Sequence, residues 1–186
     1  MVDIECTDLR SDSEFIICCG IKELGKPGKI VGLADVERGP DRNRIDMHLI
    51  TRVRDELEKF DGWITWNGLL FDIPFIDDRL LFCGQRPRAT RFARGLDMMW
   101  HARQGKSRMS SSKLDNVAKA LKCPYKKTML EKHLWKDAED EAIAWRRGVK
   151  LGKAYQYIAK HCLADLQVTE WVYQRLLPRV QTISKR

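Results

Sequence analysis

The sequence predicts an α/β domain on a mixed β-sheet, a three-stranded antiparallel meander plus parallel strands, flanked by α-helices. Three observations predict it. Strand-like runs occupy the first 36 residues, the apolar spacing then switches to three and four from about residue 43, and one short apolar run at 63–66 precedes a largely helical remainder.

Residues 1–8 read as the end of a strand. Only two residues precede Asp3, so either the chain begins late or upstream sequence is missing. Phe15 to Ile21 is an apolar run and reads as a buried strand. Gly25, Pro27 and Gly28 make a turn, and Lys29 to Val36 completes the meander. From Asn43 to Phe60, Ile45, Leu49, Val53, Leu57 and Phe60 recur at helical spacing. Asp61-Gly62 ends that helix, and Trp63 to Trp66 is a short strand followed by Asn67-Gly68. Residues 72–83 read as a helix, with Pro74 in its first turn and Gly84 as its stop. A short helix is expected around Leu96 to His101, and Ser112 is placed to cap another through Leu114, Val117, Ala118 and Leu121. Asp137 is expected to cap the next, which ends at Arg146, Arg147 and Gly148. The last runs from about Ala159 to Leu177 and stops at Pro178, with Cys162, Leu166, Thr169, Tyr173 and Leu176 as its core stripe.

The chain has 186 residues, enough for a single domain over 1–186, with 44% apolar and 32% charged residues. No run approaches a membrane span, and the N-terminus lacks the order of a signal peptide. Six cysteines occur without a C-x-x-C pair, which favours reduced, buried thiols over zinc or disulfides and a cytoplasmic location. The net charge is +8. Between residues 85 and 113, Arg86, Arg88, Arg91, Arg94, Arg103, Lys106, Arg108 and Lys113 face only Asp97, and Lys122, Lys126 and Lys127 follow. Such a block suits a polyanion, and the alternative is a solvated basic surface.

Three acidic elements carry the chemistry. In Asp3-Ile4-Glu5 the two carboxylates lie on one side of a strand, because strand side chains have a period of two. Adjacent acids facing one way suit a hard divalent cation. In Asn67-Gly68-Leu69-Leu70-Phe71-Asp72 a strand ends and a helix begins. In His161-Cys162-Leu163-Ala164-Asp165, His and Asp are four apart and share a helix face.

Together these elements resemble the DEDD (DnaQ-like) superfamily of 3′-5′ exonucleases, which has an RNase H-like fold. The Asn-x-x-x-Phe-Asp form of the second element is most similar to the exonuclease domains of family B DNA polymerases. The resemblance runs from residue 2 to about residue 177. It implies a single 3′-5′ exonuclease domain with two Mg²⁺ or Mn²⁺ ions about 4 Å apart. It implies Asp3 as bridging ligand, Glu5 and Asp165 on the nucleophile-side metal, and Asp72 on the leaving-group metal.

The third element departs from the family. One subfamily has Tyr four residues before the last Asp, another has His five before; here His161 stands four before Asp165. His161 is therefore expected to act as base or orienter of the attacking water, with Tyr157 as fallback. Thr7 and Leu9 match positions that touch the terminal nucleotide, and a strand-end turn is the alternative. Asn67 is expected to touch substrate or to stabilise its turn. Trp66, Phe71 and Phe75 read as core, with stacking on a base as the alternative; Cys162 reads as core, pointing away from the acids; Asp97 reads as a helix cap, with support of the site as the alternative; and His48, His101 and His133 read as ordinary surface or packing residues. Arg86, Arg88, Arg91 and Arg94 are expected to contact phosphates.

The expected activity is hydrolysis of DNA from single-stranded or frayed 3′ ends to nucleoside 5′-monophosphates. Proofreading in trans, repair and degradation are all compatible with it. RNA is the alternative substrate, and a nucleic-acid-binding module on a decayed nuclease fold is the alternative class. No membrane partner is expected.

Overall fold

The computed structural model describes residues 1–89, 95–103, 110–125 and 130–183. Strands β1 (Val2–Cys6), β2 (Ile16–Ile21) and β3 (Lys29–Gly32) form the expected antiparallel meander, with β2 in the middle. Every residue of β2 is buried, so both of its faces are covered. Strands β4 (Trp63–Thr65) and β5 (Gly95–Asp97) pair in parallel, and β4 lies against β1. The helices are α1 (Met47–Leu57), α2 (Asp72–Phe82), α3 (Met98–Arg103), α4 (Leu114–Ala120), α5 (Lys132–Arg146) and α6 (Lys153–Ile183).

Several boundaries differ from the sequence reading. The third strand stops at Gly32 rather than Val36, where Gly32 donates its N–H to Asp35 and a 3-10 turn begins. The helix expected from residue 43 splits into a 3-10 turn at Arg42–Arg44, capped by Asp41, and α1 proper. Leu96 and Asp97 belong to a strand, with the short helix starting only at Met98. Ser112 does not cap α4; its hydroxyl accepts a hydrogen bond from Arg103 instead. Asp137 lies inside α5, which begins at Lys132 because Leu134 and Trp135 already pack on the core. Helix α6 begins earlier than expected and continues past Pro178. Its start is capped through space: the Glu141 carboxylate on α5 accepts the N–H groups of Gly152, Ala154 and Tyr155 at 3.0, 3.1 and 2.9 Å. Beyond Pro178, buried Val180 keeps the helix on the protein.

Asp46 and Arg79 form a fully buried ion pair between the start of α1 and α2. Arg79 Nη2 and Nε donate to the two carboxylate oxygens at 2.7 and 3.0 Å, and Ile16 N–H adds a third bond at 2.9 Å. Arg79 also donates to the Ser11 carbonyl. One pair thus ties the entry to β2, α1, α2 and the 7–15 loop together.

Two apolar cores result. The larger joins the meander, α1, α2, α5 and the first half of α6; the smaller joins α3, α4 and the second half of α6. His161 and Asp165 lie on α6 where it passes from one core to the other.

Candidate active site

The site begins with a missing side chain. Gly20 on β2 pairs with Asp3, and a Cβ there would stand 2.7 Å from both Cys162 Sγ and Leu166 Cδ1. Glycine lets α6 lie directly on β1 and β2. The close approach sets His161 and Asp165 beside β1. His161 Nε2 is 4.0 Å from Glu5 Oε1 and 3.9 Å from Asp165 Oδ2, so the imidazole stands between carboxylates from two distant elements. Trp135 on α5 meets the ring edge-on, with centroids 6.4 Å apart. Glu5, His161 and Asp165 are all buried, and Asp3 is partly so.

Asp72 joins from the other side. Its Oδ1 accepts the backbone N–H of Ile4 at 2.8 Å. Burial pushes this carboxyl up to about 7, and the nearby charge of Asp97 adds to the rise. A buried acid held so high is one that a cation would ionise.

Cys162 lies in the core as its stripe predicts, but the direction of its thiol corrects the sequence reading. Its thiol does not point away: Sγ lies with carboxylate oxygens of Asp3 and Glu5 in a group whose ligand atoms are all within 4.8 Å of one another. The thiol donates to the Asp3 carbonyl at 3.5 Å. A hydrogen bond with Cys18, burial and the charge of Asp3 hold its pKa well above the usual thiol value, so it stays a neutral donor. The carboxylates are the oxygen-rich set that Mg²⁺ or Mn²⁺ prefers, and a protonated thiol does not compete with them.

The remaining expected residues are placed as follows. The Thr7 hydroxyl donates to Glu14 at 2.6 Å and accepts Phe15 N–H at 3.3 Å, so it closes the strand-end loop. Leu9 is 75% exposed on that loop. Asn67 adopts the left-handed conformation, with φ of 66°, and its carbonyl accepts the N–H groups of Leu70 and Phe71. Tyr157 is half exposed one turn before His161 and lines an open cavity with Asp137, Asp140 and Glu141. Arg86 and Arg88, expected to contact phosphates, each form an ion pair. Arg86 pairs with Glu58 at 2.8 Å. Arg88 pairs with Asp77 at 2.7 Å and covers the Trp63 ring at 4.6 Å. Their partners come from outside the basic stretch, so counting acids within it overstates its free charge. Arg91 and Arg94, like Lys106, Arg108, Lys126 and Lys127, lie outside the described residues.

Asp97 does more than cap. Its carboxylate accepts the N–H groups of Met99 and Trp100 in α3 at 2.9 and 3.3 Å, and those of Asn67 and Leu69 in the second acidic element at 3.0 and 3.3 Å. Local sequence showed the first two of these donors; the other two lie about 30 residues upstream.

A meander followed by a parallel pair, with acids gathered where β1, α2 and α6 meet, defines an RNase H-like architecture. The family model described as RNase H superfamily (RNase_H_2) matches residues 1–177, and the chain belongs to that family. No curated protein matches the chain. The fold is nuclease-like, and membership in the family implies a nucleic-acid substrate.

Proposed function

We propose that this chain is a metal-dependent 3′-5′ exonuclease of the DEDD type that removes nucleoside 5′-monophosphates from single-stranded or frayed 3′ ends of DNA. The observation that carries this reading is His161 Nε2, standing 4.0 and 3.9 Å from Glu5 and Asp165. An imidazole flanked by two acids beside a third, Asp3, is a candidate base at a metal-binding edge.

Asp3, Glu5, Asp72 and Asp165 would hold two Mg²⁺ or Mn²⁺ ions. Such ions activate water and neutralise charge on the departing oxygen. His161 takes the proton from the attacking water at Nε2, and the negative charge of Glu5 and Asp165 beside it favours the imidazolium that forms. The water oxygen joins phosphorus, the bond to the 3′ oxygen of the preceding nucleotide breaks, and that oxygen takes a proton from solvent while His161 returns its own proton to solvent. Asn67 and Leu9, on loops next to the acids, would touch the terminal nucleotide, and Tyr157 is the fallback base. The free cysteines suit a reducing cytoplasmic setting.

The test is a 5′-labelled single-stranded DNA oligonucleotide, with its 3′ end free or blocked, incubated with Mg²⁺, Mn²⁺ or EDTA. A metal-dependent ladder on the free strand alone is expected. Binding without any ladder would instead mark a decayed nuclease that only holds nucleic acid.

A further inference from the structure

Beside the acidic site lies a cleft of about 400 Å³, walled by Leu69 and Leu70 on one side and by Met99, Trp100 and Arg103 of α3 on the other. Its lining is unusually apolar for a surface: Leu70 is 77% exposed, Trp100 55% and Leu69 40%. Single exposed apolar residues are ordinary, but three large ones converging on one cleft mark a binding surface.

The cleft is preformed. The Asp97 carboxylate accepts N–H groups from both walls: Asn67 and Leu69 on the loop, Met99 and Trp100 on α3. Gly95 also lines it, and a Cβ there would stand 2.3 Å from Leu69 Cδ2, so the glycine leaves room for Leu69 to lie over β5. Trp100 meets His101 at right angles with centroids 4.9 Å apart and leaves much of its indole in solvent.

We propose that this cleft binds a nucleobase of the substrate strand, stacked on Trp100. The inference rests on the nuclease reading above and adds a second contact point, upstream of the nucleotide being removed. Two features select a nucleobase over an apolar peptide. The loop that forms one wall runs directly into Asp72, so the cleft opens two residues from an acid of the site, within reach of a strand held there. Arg103 at the rim supplies positive charge for the phosphate that accompanies a stacked base.

The test is a double-mutant cycle between residue and base. A 5′-fluorescein oligodeoxythymidylate is prepared intact and with a single abasic position walked inward from the 3′ end. Affinities are measured by anisotropy in EDTA for the native protein, Trp100→Ala, Trp100→Phe and the exposed-site variant Leu70→Ser. For the native protein, one abasic position weakens binding about tenfold. Trp100→Ala binds the intact strand about tenfold more weakly and no longer responds to that position. Trp100→Phe retains the response, and Leu70→Ser weakens binding less than Trp100→Ala. If Trp100→Ala shows the native affinity, or the native abasic profile, the cleft does not hold a base, whatever the ladder assay shows. If the native protein neither binds the strand nor releases nucleotides with Mg²⁺ or Mn²⁺, the nuclease reading falls and takes this inference with it.

Discussion

Asp72 accepts the backbone N–H of Ile4 at 2.8 Å, which fastens the second acidic element to the one residue separating Asp3 from Glu5. The edge of β1 that does not pair with β2 is therefore closed at this point by a carboxylate. The bond fixes where Asp72 stands, and burial fixes its protonation: without metal the carboxyl is held up to about 7.

A pH dependence follows. Between about pH 4 and pH 7 the metal-free folded protein keeps a proton that the unfolded chain has lost. Stability therefore falls as pH rises through that window and levels off above it. Asp72→Asn, whose amide oxygen still accepts the Ile4 N–H, should remove that part of the slope. Adding Mn²⁺ at pH 8 should raise the melting temperature of the native protein more than that of the variant. Calorimetric melts from pH 4 to 8 in EDTA check this, and parallel curves for the two proteins would refute it.

His161→Ala should lower single-turnover cleavage by about 10²- to 10⁴-fold, the usual contribution of a positioned base, while oligonucleotide binding persists. Asp3→Ala and Asp165→Ala should abolish cleavage. A native rate in His161→Ala would transfer the role to Tyr157, which Tyr157→Phe would then reveal.

Gly20→Ala places a methyl group against Cys162 and Leu166. Overpacking of this kind costs about 1–3 kcal/mol. Because α6 must shift away from β1, cleavage should fall more than stability does. Adding Cys162→Ala to Gly20→Ala should restore part of both, measured by denaturant melts and initial rates. No rescue would mean that the contact does not set the helix position.

The buried pair Asp46–Arg79 makes a separate prediction about the scaffold. Either Asp46→Ala or Arg79→Ala should cost about 3–5 kcal/mol, because each strands an uncompensated buried charge. A urea titration reads this directly. A loss as small as that of an exposed pair would show that water reaches the site.

The acids of the site were legible because their geometry is local. A period of two aligns Asp3 with Glu5, and a period of four aligns His161 with Asp165; each is written within five residues. What escaped sequence reading depends on contacts between remote segments. Asp46 looks like any helix-entry acid until Arg79 is seen 33 residues away. Helix α6 lacks a convincing local start because Glu141, on another helix, supplies its cap. Asp137 resembled a cap, yet the burial of Leu134 and Trp135 carries α5 back through it. The thiol of Cys162 was assigned to the core by its stripe, and it is in the core; only the glycine opposite it brings it up against the acids.

The bond from Cys162 to the Asp3 carbonyl joins residues 159 apart in sequence. As a ribosome delivers this chain, β1 emerges well before α6, and about 160 residues pass before its last acidic partner exists. No shorter nascent segment carries Asp165 against Glu5. Whatever cutting the protein performs is thus deferred by its own order of synthesis, and an interrupted translation product that stops before α6 is released without the assembled centre.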